Sequence, residues 1–154
     1  MIMIKLFFIP TLFQMMMFSG CHSGQQASGN QDEVAGLVLN GKVLELSTEK
    51  NKELADLVMR FMEGSDDFYE LLVTDNLIAS LRTSNEYLEV RFPSARTVVT
   101  EKFGELEVSH VLIPLSGRYA NNDQLTFFSG SGDFSNTPML RSTGLAELLK
   151  VVGP

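Results

Sequence analysis

The chain of 154 residues is 44% hydrophobic and 20% charged, a composition that suits one globular domain. Nineteen Asp and Glu outnumber twelve Lys and Arg, for a formal net charge of −7. No cluster of Lys and Arg is present to displace the counterions of a polyanion, which argues against nucleic acid as a partner and against adsorption to anionic lipid headgroups.

The apolar residues are unevenly spread. Residues 1–20 hold five of the eight Met and four of the eleven Phe but a single charge, Lys5. A short charged start, an apolar run from Leu6 to Phe18, and the small Ser19 and Gly20 form the three-part layout of a secretory signal peptide. The run is broken by Pro10 and Gln14 and falls short of the roughly 20 residues a bilayer-spanning helix needs.

These small residues lead into Cys21, the one cysteine of the chain. A single cysteine forms no disulfide within the chain. The flanking HSGQQASGNQDE offers only Ala27 as apolar packing, so a buried structural thiol is excluded. His22 is adjacent, but a polar tail does not hold the geometry that thiol chemistry demands. The stretch Phe18-Ser19-Gly20-Cys21 resembles the lipobox of bacterial lipoproteins, with Phe18 where that pattern normally has an aliphatic residue. The resemblance implies that residues 1–20 are a cleaved signal peptide, that Cys21 is the lipidated residue, and that the membrane is a partner through this anchor. It also implies a place in the bacterial cell envelope, with the outer membrane favoured where the organism has one, because His22 replaces the Asp that often retains lipoproteins at the inner membrane. Residues 21–33 have the Gly, Ser, Gln and Asn content of a flexible linker, leaving 34–154 as a single domain.

In that domain GLVLNGKVLEL places Asn40-Gly41 between two apolar runs, a hairpin signal because both positions tolerate positive φ. Ser47 or Thr48 then caps a helix whose Leu54, Leu57, Val58, Phe61 and Met62 share one face, closed by Gly64. Ser65-Asp66-Asp67 suits a helix start, with a short turn through Leu72. Thr74 or Asp75 caps a second short helix carrying Leu77, Ile78 and Leu81. EYLEVRF alternates, with Leu88, Val90 and Phe92 on one face and Glu89 and Arg91 on the other, and Pro93 ends this strand. Two β segments meet near Gly104, the second placing Leu106, Val108, His110 and Leu112 on one face. Arg118 to Asp123 reads as a polar turn, LTFFS as a strand and GSGDFSNTP as a loop. Thr143 caps a last helix with Leu145, Leu148, Leu149 and Val152. The pattern predicts an α+β fold, an antiparallel sheet of about four to six strands with two to four helices packed on it.

The candidate chemistry is sparse. Asp66 and Asp67 with Glu63 and Glu70 lack the spacing of a calcium loop and read as a solvated helix start. The domain has one histidine, His110, too few for a zinc site. FFSGSGDFS lacks the Lys of a P-loop and reads as a turn between β segments. Ser109 and His110 are strand neighbours and point to opposite faces, so they do not form a nucleophile and its base. Asp133 with Glu147 is one of many acid pairs that any acidic protein supplies. No catalytic, cofactor-binding or metal residue is therefore assigned. The expected function is a membrane-tethered, non-catalytic domain that binds an envelope protein or a small ligand. The alternative is a small envelope hydrolase with a site near His110, which requires a cleft where that histidine meets a serine or paired acids.

Overall fold

The computed structural model describes residues 33–69, 73–84, 86–121, 125–134 and 137–153; the signal-like segment, Cys21 and the linker up to residue 32 lie outside the described residues. Seven strands, β1 (Gly36–Leu39), β2 (Lys42–Val43), β3 (Asp67–Tyr69), β4 (Tyr87–Thr100), β5 (Gly104–Pro114), β6 (Leu125–Ser129) and β7 (Met139–Arg141), form one sheet. Its order is β2-β1-β4-β5-β6-β7-β3, and every pairing is antiparallel. Helices α1 (Thr48–Glu63), α2 (Asp75–Ser84), α3 (Arg118–Asn121) and α4 (Leu145–Val152) complete an α+β fold. No helix among the described residues is long and apolar enough to cross a membrane.

The β1–β2 hairpin turns on Asn40 and Gly41, with φ of 50° and 78°, the two positive values that match the twist of the flanking strands. The Ser47 side chain accepts from the Lys50 amide and caps α1, whose Leu54, Ala55, Val58, Phe61 and Met62 are buried. Thr74 Oγ1 accepts from the Leu77 amide at 3.2 Å at the start of α2. At α4 the expected cap is displaced: Gly144 holds the N-cap position with φ of 100°, and no side chain bonds there, so Thr143 does not cap the helix.

The sheet has two covered faces. On one, Leu88, Val90 and Phe92 of β4, with Val111 and Ile113 of β5, pack against α1 and α4. On the other, Tyr87, Leu112, Phe127 and Met139 pack against Ile78 and Leu81 of α2 and against Phe134. Pro93 does not end β4. The strand continues to Thr100 through an irregularity in which the five steps from Arg91 to Arg96 lie opposite the two from His110 to Val108. Here the expected shared face of β5 also breaks, for Leu106 and Val108 join the α1 side while Leu112 stays on the α2 side.

Beyond the irregularity the β4–β5 arm runs past the end of β6, since β5 pairs with β6 only from His110 to Leu112. Its turn docks on β3: Lys102 Nζ donates to the Asp66 carbonyl at 3.0 Å and to Asp67 Oδ1 at 3.3 Å, and the Phe68 and Phe103 rings meet edge to face at 5.7 Å. The hydrogen bond from Lys102 holds the Asp67 carboxyl below its ordinary range. The expected helical start at Asp66-Asp67 is therefore a strand at its second acid, because Asp67–Tyr69 pairs with Met139–Arg141. The two strands β3 and β7 raise the count to seven, above the expected range; three residues each give no readable alternation.

Candidate functional site

The alternation of β4 carries Tyr87, Glu89 and Arg91 onto the face away from α1, and the register sets His110 directly opposite Arg91. This face is not open to water. Residues of α2 and the segment after β6 cover it, so that Glu89 is only 3% exposed. A carboxylate taken out of water must be matched by donors, and Glu89 receives five. Arg82 of α2 grips it in a fork, Nε to Oε2 at 2.9 Å and Nη2 to Oε1 at 3.1 Å. Arg91 donates to Oε1 from Nη2 at 2.8 Å and from Nε at 3.2 Å. His110 Nε2 lies 2.7 Å from Oε1. Burial pushes the Glu89 carboxyl upward, but the hydrogen bonds from His110, Arg82 and Arg91 outweigh it and bring the pKa down to about 2.

The imidazole is held on its other edge as well. Nδ1 lies 3.2 Å from the carbonyl of Gly132, an acceptor only, so Nδ1 carries a proton and donates. The Phe134 ring lies 4.5 Å from the imidazole centre. Nε2 lies between Glu89 Oε1 and Arg91 Nε, 2.7 Å and 3.1 Å away.

Above this cluster opens a cleft of about 570 Å³, lined among others by Arg82, Arg91, Ser94, Ser109, His110 and Ser131. The Phe92–Ala95 irregularity forms one wall and the Gly130–Gly132 turn the other. Ser109 Oγ donates to the Ser129 carbonyl at 3.1 Å, and the Ser129 and Ser131 hydroxyls stand 3.4 Å apart. His110 thus meets a glutamate, an arginine and a carbonyl, and no serine hydroxyl among the described residues hydrogen-bonds to it.

The sequence set His110 on one face of its strand and gave it no serine partner, and the structure has it buried and bonded at both nitrogens. Glu89 and Arg82 were not foreseen. Glu89 and Arg91 read only as the face opposite Leu88, Val90 and Phe92, and it is the strand neighbour that brings in His110 and the helix that brings in Arg82 that make them a cluster. Asp133 borders a pocket beside α2; Glu147 stands on α4, which packs on the opposite face of the sheet, so these two acids are not brought together. Asp67 is engaged by Lys102 and lies 3.7 Å from Arg141, while Glu70 lies outside the described residues. Comparison with family models, with curated proteins and with solved structures finds no match.

Proposed function

We propose that the chain is an envelope lipoprotein whose folded domain binds a small ligand in the cleft over Glu89 and His110 without transforming it. The tether rests on the residues before the domain: a short apolar run, Ser19-Gly20-Cys21 at its end, and a polar linker after it. The binding reading rests on one observation. Both nitrogens of the only histidine in the domain are engaged by protein groups, the Gly132 carbonyl on one side and the buried Glu89 on the other, which leaves it no free edge to serve a nucleophile. A cleft of this size falls in the range of small-molecule sites.

Two experiments test the two halves. Cells labelled with a palmitate analogue should tag the protein, and Cys21→Ser should abolish both the tag and signal cleavage; labelling that survives the substitution removes the tether. For the domain, the full chain purified in detergent is incubated with a small-molecule extract of the cell envelope and analysed by native mass spectrometry. A compound that stays bound and chemically unchanged supports a binding module. Its steady conversion to product, lost in His110→Gln, would instead establish the hydrolase that the Glu89–His110 contact also permits.

A further inference from the structure

We infer that the cleft is an oxyanion site, built to hold the carboxylate or phosphate group of a soluble small molecule against Arg91 and Arg82. The inference rests on the binding reading above and names the chemistry of the ligand. Its basis is a local charge imbalance. Two guanidiniums converge on a single carboxylate, so Glu89, Arg82 and Arg91 together carry one positive charge in excess. Both oxygens of Glu89 are already engaged, one of them by four donors. Arg91 is nonetheless 58% exposed and Arg82 36% exposed, and both line the cleft.

The lining has a second property. In a chain where acids outnumber bases nineteen to twelve, no Asp or Glu among the described residues lines this cleft, while Ser94 and Ser131 line it with hydroxyl groups and Gly130–Gly132 brings backbone close. Asp75 and Asp133 line an adjoining pocket together with Arg82 and not with Arg91, which makes Arg91 the guanidinium better placed for the anion. Glu89 then has a positioning role: it holds two arginines side by side that would otherwise repel, with their planes set for charge-assisted bonds to a planar or tetrahedral oxyanion. A soluble ligand is favoured over an anionic headgroup because the chain as a whole carries −7 and is repelled by an anionic surface.

The test is calorimetric titration of the full chain in detergent with inorganic phosphate and, separately, with succinate, at constant ionic strength. Saturable binding of at least one is expected, weakened about tenfold or more in Arg91→Gln through loss of a charged donor. Ser94→Glu, an exposed position on the cleft wall, offers Arg91 an internal competitor without touching the core, and should weaken binding to a similar degree with an unchanged melting temperature. Absence of saturable binding of both anions, or binding undiminished in Ser94→Glu, overturns the inference. A neutral compound retained in the native mass spectrum would overturn it too while leaving the binding module standing, whereas turnover would remove the binding module itself.

Discussion

Glu89 shows how a single ionisable residue ties stability to acidity. Its folded pKa of about 2 lies below the ordinary 4.5, so the charged form stabilises the native state above pH 4.5. That contribution fades as the pH falls from 4.5 toward 2, and amounts to at most about 3 kcal/mol. Urea unfolding across this window should show the loss in the wild type and a much flatter profile in Glu89→Gln. The same variant should be less stable at pH 7 by about 3 kcal/mol, since it leaves two arginines without a buried counter-charge. A variant that kept the wild-type slope would assign the acid sensitivity to other carboxylates. None of this was legible in the local sequence. Alternation in EYLEVRF correctly separated Glu89 and Arg91 from Leu88, Val90 and Phe92, but a period of two says which residues share a face, not what covers that face.

At the scale of elements, legibility followed length and chemistry. The sixteen-residue α1 with its apolar face and the Asn40-Gly41 hairpin were readable because each carries its own periodic or conformational signature. Pro93 misled, since a proline that ends an ordinary strand can also sit in an irregularity within a longer one. The β5 alternation failed at Ser109 because the irregularity in the β4–β5 pairing falls between His110 and Val108 and turns the side chains beyond it to the other face; there β5 also runs close to Gly130. A Cβ on Gly130 would stand 2.9 Å from both the Cβ and the carbonyl oxygen of Glu107, and the backbone partner has no rotamer with which to yield. Gly130→Ala should therefore cost about 1–3 kcal/mol by thermal or chemical unfolding, and should also disturb the cleft wall it opens. An alanine variant of wild-type stability would mean that β5 does not press on this turn.

Across the whole molecule, one sheet separates two apolar clusters and serves both. Met62 and Phe127 are fully buried on opposite sides. Truncating either to alanine should cost about 2–5 kcal/mol, a large part of the 5–15 kcal/mol that holds a typical domain together. Because β4, β5 and β6 contribute to both clusters, each variant should unfold in a single transition with the denaturant slope of the wild type. Separate transitions for the two faces would show that the layers fold independently. The exposed Val99, by contrast, should accept threonine with a change within about 0.5 kcal/mol. The ends of the sheet carry a different consequence. One edge is β2, two exposed residues beginning with Lys42, and the other is β3, three residues whose Asp67 is tied to Lys102. At these two ends a neighbouring copy meets little backbone to pair with, two or three residues in which a Lys or an Asp stands beside the exposed Val43 or Phe68. Edge-to-edge growth from these two ends is thereby given little template, even where many copies are crowded side by side.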